Sequence, residues 1–216
     1  TVHFTGGGTG ATLPSNYTFV GGDNGAHTFA NSVTLTQVGN RTVTATDTVT
    51  GTITGASSSI SVSPTAATTL SVTAPATATA GTAFSVTVTA LDAYGNTATG
   101  YTGTVHFTGG GTSPTLPSNY TFVGGDSGTH TFTNGVTLTQ AGSRTVTATD
   151  TVTGSITGAS GTISVSPAGA STLSVSAPAT ATAGGAFSVT VTALDAYGNT
   201  ATGYTGTVHF TGGGTS

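Results

Sequence analysis

The sequence predicts an all-β fold of tandem immunoglobulin-like β-sandwich domains with about seven strands each. Three observations predict it. The phrase TVHFTGGGT begins at residues 1, 104 and 207, so the chain repeats every 103 residues, the length of one small domain. Within each period, short segments that alternate apolar residues with Thr or Ser are separated by Gly, Pro, Asn and Asp. No segment has the apolar periodicity of a helix.

The two copies of the repeat are nearly identical. When residues 1–103 are laid over 104–206, 16 positions differ and 87 are the same. The exchanges are mostly between small or polar residues, as expected from recent duplication.

Pro-bearing segments set the frame of the repeat. SVSPTAATTLSVTAP (61–75) and its counterpart SVSPAGASTLSVSAP each place a Pro and small residues between two alternating runs. We therefore predict the C-terminal part of one repeat at 1–64, a complete repeat at 65–167 and the N-terminal part of the next at 168–216. We expect the chain to be a segment of a longer polymer of such domains, with both ends inside a domain.

Seven strands are predicted in the complete repeat, at residues 69–73, 84–92, 103–108, 120–123, 130–139, 144–150 and 162–166. Because side chains alternate between faces, Val105 and Phe107 should face inward and His106 outward. The other predicted core residues are Phe84, Val86, Val88, Ala90, Tyr120, Phe122, Phe132, Val136, Leu138, Val146 and Ala148.

The composition excludes several classes of partner and chemistry. Only 4% of residues are charged, the formal net charge is −4, and the cations are two Arg with no Lys. Such a chain cannot neutralise a row of phosphates, so we expect no nucleic-acid partner. No run approaches the roughly 20 apolar residues that span a bilayer, so we expect no membrane insertion in this segment. Cys is absent, which excludes disulfides, thiol catalysis and thiolate metal sites.

One segment resembles a known family. LDAYGNTATGYTGTVHFT (91–108, again from 194) carries an Asp-x-x-Gly-Asn turn followed by a Gly-x-x-x-Val-x-Phe strand, and AGSRTVTATD (141–150) enters a strand from a Gly turn. These motifs resemble the bacterial Ig-like repeats of invasin- and intimin-type adhesins and of very large bacterial surface proteins. The resemblance covers the full repeat. It implies stalks or fibres that hold a terminal adhesive domain away from the cell.

The Asp-x-x-Gly-Asn turn has two interpretations. Asp92 and Asn96, with Asp195 and Asn199 in the next repeat, offer oxygen atoms that suit Ca²⁺, which takes six to eight ligands. The alternative is a turn in which these side chains bond nearby backbone and Gly95 adopts positive φ. The turn is favoured because the repeat has few other acidic residues, so we expect no metal and no cofactor.

Other candidate chemistry is sparse. His106, His130 and Asp126 remain for a metal or acid–base site, but the two histidines fall in strands assigned to different sheets, so they are expected to be solvated. There is no G-x-S-x-G nucleophile motif, and a phosphate loop needs Lys. The GGGT stretches are interpreted as flexible loop tips. We expect no enzyme activity.

The Thr-rich run RTVTATDTVTGTIT (41–54) raises a different function. Thr occupies every second position from Thr42 to Thr54, and a flat file of Thr is a device of some ice-binding proteins. The alternative is that Thr has high β propensity and suits a wet, twisted sheet face.

The function expected from these observations is structural. We predict a non-catalytic segment of a bacterial extracellular or cell-surface fibre, filament or adhesin stalk. Its partners would be neighbouring repeats of the same chain, with lateral homo-oligomeric assembly into a filament as an open alternative. The second function class is a carbohydrate- or host-protein-binding Ig-like module of an adhesin, for which Tyr94, Tyr101 and their counterparts are the candidate contact residues.

Overall fold

The protein is all-β. The computed structural model describes residues 1–212, whose regular structure consists of β-strands and two single-turn 3-10 helices, Gly21–Asp23 and Gly124–Asp126. Within this part of the chain, no helix has the length and apolar character needed to cross a membrane. The predicted fold class is confirmed, since short strands pair into several sheets as in β-sandwich domains. Residues 213–215, the end of the third TVHFTGGGT copy, lie outside the described residues.

The strands are short, most of them three to five residues long. In chain order they are β1 Val2–Gly6, β2 Gly39–Arg41, β3 Val43–Asp47, β4 Thr54–Ala56, β5 Ile60–Val62, β6 Thr69–Thr73, β7 Thr77–Thr79, β8 Ala83–Leu91, β9 Thr104–Gly109, β10 Tyr120–Thr121, β11 Thr129–Thr137, β12 Gly142–Arg144, β13 Val146–Asp150, β14 Thr157–Ala159, β15 Ile163–Ser166, β16 Thr172–Ser176 and β17 Thr190–Leu194.

The described chain divides into two compact units. Unit 1 comprises Thr1–Leu70, Thr89–Gly103 and Phe122–Thr129. It contains the sheet β1-β3-β4 and the pair β2-β5. The strands of both are antiparallel, with Phe4 opposite Ala45 in the β1–β3 pair.

Unit 2 comprises Ser71–Val88, Thr104–Thr121 and the described part of His130–Ser216. Its largest sheet has the strand order β10-β9-β13-β14, and two smaller sheets are β12-β15-β7 and β16-β17. β7 runs parallel to β15, whereas β12 is antiparallel to it. A further sheet has the strand order β11-β8-β6.

Most of the predicted core is buried. Val105 and Phe107 are buried on β9 while His106 between them is exposed, as the alternation predicts. Phe84, Tyr120 and Phe132 are only half-buried. The prediction missed a further set of buried residues, namely Leu70, Val72, Ala80, Ala98, Tyr101, Ile163 and Val165.

The complete repeat contains more strands than predicted. Residues 65–167, all of them described, form ten strands rather than seven. The segment predicted at 144–150 breaks at Thr145, because β12 pairs with β15 in one sheet and β13 pairs with β9 in another. β7 and β14 were not predicted, since each has three residues and lacks an apolar alternation of useful length.

Candidate functional site: a junction between consecutive repeats

The Asp-x-x-Gly-Asn segment folds into a tight turn organised by its buried aspartate. We call residues 92–96 and 195–199 the docking turns. One carboxylate oxygen of Asp92, Oδ1, accepts hydrogen bonds from the backbone N–H groups of Tyr94 at 2.9 Å and Asn96 at 2.8 Å. The other, Oδ2, accepts one from the backbone N–H of Thr65 at 3.1 Å. Gly95 adopts a φ of 80°, as the turn interpretation expects.

Hydrogen bonding keeps the aspartate ionised despite its burial. Asp92 is 3% exposed, and burial alone would raise the pKa of its carboxyl group. The hydrogen bonds from Asn96, Thr65 and Tyr94 outweigh that effect and lower the pKa to about 2. Asp195 has the same arrangement, and its pKa is also lowered to about 2.

The geometry favours the turn over a calcium loop. Both carboxylate oxygens of Asp92 already accept hydrogen bonds, and the side-chain oxygen of Asn96 accepts one from the Val38 N–H. Ca²⁺ would have to displace these donors and recruit several further oxygens. Among residues 1–212, no three His, Cys, Asp or Glu side chains cluster in a way that could hold a metal ion.

The asparagine of the docking turn binds a loop that the predicted frame assigns to the preceding repeat. Asn96 Nδ2 donates a hydrogen bond to the backbone oxygen of Thr36 at 2.8 Å, and the backbone N–H of Val38 donates to Asn96 Oδ1 at 3.3 Å. The same amide nitrogen also contacts Asp92 Oδ2 at 3.0 Å. A single half-buried amide therefore joins the turn to a loop of the predicted preceding repeat. We call residues 36–38 and 139–141 the docking loops.

The arrangement recurs one period later. Asn199 Nδ2 donates to the backbone oxygen of Thr139 at 2.8 Å, and the backbone N–H of Ala141 donates to Asn199 Oδ1 at 2.8 Å. The backbone N–H of Ala168 donates to Asp195 Oδ2 at 3.0 Å. Ala141 and Ala168 replace Val and Thr of the first copy, but only their backbone takes part. Both exchanges therefore preserve the junction.

A tyrosine makes a second contact at the junction within unit 2. The ring of Tyr197 lies against Gly81, which has a φ of 80°. A methyl group at Gly81 would come within 2.1 Å of the Tyr197 hydroxyl and 2.5 Å of its ring. Gly81 also donates its N–H to the Leu138 backbone oxygen, next to the docking loop. The docking turn 195–199 therefore contacts the predicted preceding repeat at two places, through Asn199 at the docking loop and through Tyr197 at Gly81.

In the second copy of TVHFTGGGT the glycine run packs closely, so the interpretation of residues 109–112 as a flexible loop tip is wrong. Gly109, Gly110 and Gly111 all have positive φ, and Gly110 is buried. A Cβ atom on Gly110 would lie 2.7 Å from the side chain of Leu138. The Gly110 N–H donates to the Thr145 backbone oxygen at the break between β12 and β13. Larger residues would meet the core in this conformation.

The two candidate histidines, His106 and His130, do not lie at one site. His106 and His130 lie in different sheets, as predicted. His106 Nδ1 is 2.8 Å from Asn119 Oδ1, and the half-buried His130 ring stacks on Tyr120 with centroids 3.9 Å apart. His130 is therefore packed, contrary to the expectation of a solvated side chain.

In the first copy, the aspartate corresponding to Asp126 takes part in a local polar cluster. Asp23 accepts hydrogen bonds from the Val20 N–H at 2.8 Å and from the Tyr17 hydroxyl, and lies 3.1 Å from His27 Nδ1. The Val20 bond is the main cause that lowers the pKa of Asp23.

The two candidate tyrosines for ligand binding differ in exposure. Tyr94 is 57% exposed on its docking turn. Tyr101 is buried, and its ring packs edge-on against Phe122 with centroids 5.1 Å apart. Tyr101 is thus a core residue and is unavailable to a ligand.

The Thr-rich run 41–54 does not form one continuous file, because the chain reverses and Thr46 faces Thr54 with their hydroxyls 2.8 Å apart. That hairpin contradicts a single flat file of Thr.

Sequence reasoning missed the docking loops. It also missed Arg41 and Arg144, whose side chains donate hydrogen bonds to carbonyl oxygens of these loops. The loop contributes backbone atoms, which leave no motif in the sequence. The one available signal was a lone Arg without an acidic neighbour in sequence, since such a cation needs hydrogen-bond acceptors elsewhere.

Comparisons with known proteins find similarity to solved structures. No family model and no curated protein matches the sequence. A solved structure of Yersinia pseudotuberculosis InvD aligns with the fold at a TM-score of 0.41 and 19% sequence identity. The alignment covers 93% of this chain and 61% of that chain, so the present chain spans less than two thirds of the InvD structure.

Proposed function

We propose that the chain is a structural repeat segment of a bacterial extracellular or cell-surface fibre, filament or adhesin stalk, without catalytic activity. The observation that carries the proposal is the Asn hydrogen-bond pair to the preceding repeat, made by Asn96 and again by Asn199. A chain of domains joined only by flexible linkers would not need this contact. Its recurrence with the period of the sequence is what a spacer of defined length requires.

The chemistry of the junction suits a role outside the cell. The contact uses backbone amides and a neutral side chain, and its one ionised group, Asp92, is buried and hydrogen-bonded. Salt screens exposed charges much more than buried ones, so the junction should tolerate changes of ionic strength. The absence of Cys makes it independent of redox state.

Electron microscopy of the native material tests the proposal. A compact unit of 103 residues has a radius of gyration of about 13 Å, so each repeat should advance the fibre by roughly 30–40 Å. A beaded thread one domain wide would support a single-chain stalk, and a thicker helical fibre would support lateral assembly of several chains. Particles without an axial repeat would contradict the structural role.

A second candidate function is carbohydrate binding, and one observation favours it. An uncharged cleft of about 390 Å³ in unit 2 is lined by Thr112, Ser113, Thr139, Gln140, Tyr197, Gly198 and Asn199. An aromatic ring beside amides and hydroxyls is suited to a neutral sugar, which stacks on the ring and exchanges hydrogen bonds with the polar groups. The same residues could instead bind a host protein, which is the other ligand of the binding-module alternative.

Binding of the 216-residue chain to a glycan array tests the second candidate. Tyr197→Ala should abolish the signal if the cleft binds the sugar. Tyr94→Ala tests the corresponding tyrosine of the other docking turn, and Val152→Ala, at a 90% exposed side chain that does not line the cleft, serves as the control. An array without signal would contradict sugar binding and leave the structural role standing.

A further inference from the structure

We propose that the single arginine of each repeat, Arg41 and Arg144, is the positioning residue that shapes the docking loop for the asparagine of the next repeat. The inference rests on the proposed structural function and assigns a role within that junction. It concerns the preceding repeat, whereas the asparagine belongs to the following one.

The arginine binds the backbone of the docking loop. Arg144 Nε donates to the Gln140 oxygen at 3.2 Å, and Arg144 Nη2 donates to the Ala141 oxygen at 2.7 Å. Arg41 binds the first loop in the same way, with Nε donating to the Gln37 oxygen at 3.2 Å and Nη2 to the Val38 oxygen. In residues 1–212, neither arginine forms a salt bridge with a carboxylate.

Arginine and asparagine divide the loop backbone between them. The Thr139 oxygen and the Ala141 N–H bind Asn199, while the Gln140 and Ala141 oxygens bind Arg144. Ala141 is therefore held on both sides, by its own repeat through the carbonyl and by the next repeat through the N–H. The planar guanidinium fixes two successive carbonyls, which sets the direction of the N–H that the asparagine must meet.

The glycine run leaves room for this arrangement. Gly111 has a φ of 89°, and a Cβ atom there would lie 2.5 Å from Gln140 Oε1 and 3.0 Å from Arg144 Nε. Gln140 Oε1 accepts a hydrogen bond from the Thr112 N–H at 3.0 Å. The TVHFTGGGT phrase thus places a residue without a side chain against Arg144 and the docking loop. A larger residue at Gly111 would collide with both.

A spin-label distance measurement on the full 216-residue chain tests the proposal. The chain has no Cys, so Cys introduced at Val49 and Thr102, both exposed and both in unit 1, would carry the only labels. Val49 lies in the predicted first repeat and Thr102 in the second. The width of their distance distribution reports how firmly that junction is held.

Three variants and one matched control are compared. Asn96→Ala removes the junction hydrogen bonds, Arg41→Gln removes the guanidinium, and Arg41→Lys keeps the charge but loses the fork that binds two carbonyls. Arg144→Gln makes the same substitution at the other docking loop, so it should leave the Val49–Thr102 distribution unchanged. The expected result is that Arg41→Gln broadens the distribution nearly as much as Asn96→Ala. Loss of about 1.4 kcal/mol of docking free energy would raise the undocked population roughly tenfold.

The other outcomes separate the two proposals. A narrow distribution in Arg41→Gln together with a broad one in Asn96→Ala would overturn the role of the arginine and leave the junction intact. A narrow distribution in Asn96→Ala would overturn the proposed junction itself. Far-ultraviolet circular dichroism checks folding. Loss of strand signal in both Arg41→Gln and Arg41→Lys would also overturn the inference, because the arginine would then be a folding residue rather than a positioning one.

Discussion

Asn199 donates a hydrogen bond of 2.8 Å to the backbone oxygen of Thr139, a residue 60 positions earlier in the chain. The same side chain accepts a hydrogen bond from the Ala141 N–H. Both polar ends of the Asn199 amide therefore bond to a loop of the predicted preceding repeat. The amide nitrogen also donates to Asp195 of its own turn at 2.8 Å. Asn96 reproduces this relationship 103 residues upstream.

Removal of this amide should release the docking loop. Asn199→Ala removes two hydrogen bonds, each contributing about 1 kcal/mol, so hydrogen exchange at the Ala141 N–H should accelerate by roughly ten- to hundredfold. Asn199→Asp should accelerate it further, because a second carboxylate beside Asp195 cannot donate to the Thr139 oxygen. The Val38 N–H at the other junction is the internal control. Equal rates at Ala141 in all variants would contradict the contact.

A methyl group at Gly81 should disturb the junction through Tyr197. Gly81→Ala imposes left-handed strain of about 1–2 kcal/mol and also meets the tyrosine ring. Gly25→Ala is the matched control, since Gly25 has a φ of 83° with nothing within 4 Å of the added atom. We expect the free energy of unfolding to fall by about 1–3 kcal/mol more for Gly81→Ala. Equal losses in urea titrations would show that Tyr197 moves aside freely.

Acid should weaken the docking turns within a defined range of pH. The pKa of Asp92 and that of Asp195 are lowered to about 2, below the ordinary value of about 3.9. A lowered pKa stabilises the folded state above the unfolded-state pKa, and this contribution disappears as pH falls through the folded-state value. The thermal midpoint should therefore drop between about pH 4 and pH 2. Asp92→Asn should lower the thermal midpoint at neutral pH and reduce its fall between pH 4 and pH 2. If the midpoint of Asp92→Asn fell with pH as steeply as that of the original chain, the role assigned to Asp92 would be contradicted.

The folded chain should resist trypsin. Lys is absent, and the two arginines are half-buried with their guanidinium groups bonded to backbone oxygens. Cleavage requires the side chain to leave these contacts, so it should follow local opening of the docking loop. Gel analysis should show an intact chain under native conditions and rapid cutting in denaturant. Prompt native cleavage after Arg144 would mean that the loop is open.

The core and the strands of this protein were largely predictable from sequence, because alternation reports which side of a strand is buried. Val105, His106 and Phe107 alternate as expected, and TLSVT at 69–73 coincides with β6. The predicted strand boundaries were wrong where strand pairing, rather than the local sequence pattern, determines where a strand ends. The strand at 144–150 changes sheets at Thr145, an event that leaves no mark in its Thr-Val-Thr sequence.

The junction was predictable only in part. Asp92, Gly95 and Asn96 were identified as a turn by their residue types, since Asp and Asn bond nearby backbone and Gly adopts positive φ at low cost. The partner of Asn96 was not, because it consists of backbone atoms at Thr36 and Val38, which any residue supplies. Likewise, the exposure of Tyr94 could be anticipated, whereas the burial of Tyr101 against Phe122 could not.

The sequence by itself therefore determined the repeat, its period, the all-β class and the uncharged, thiol-free chemistry of the chain. These follow from local pattern and composition, which are written residue by residue. Tertiary structure decided which distant residues the repeated features contact. It placed the Arg144 guanidinium on carbonyls of the 139–141 loop, Gly111 close to that guanidinium, and Asn199 on the same loop. Contacts made through backbone depend on how distant segments meet, and only the folded chain fixes that.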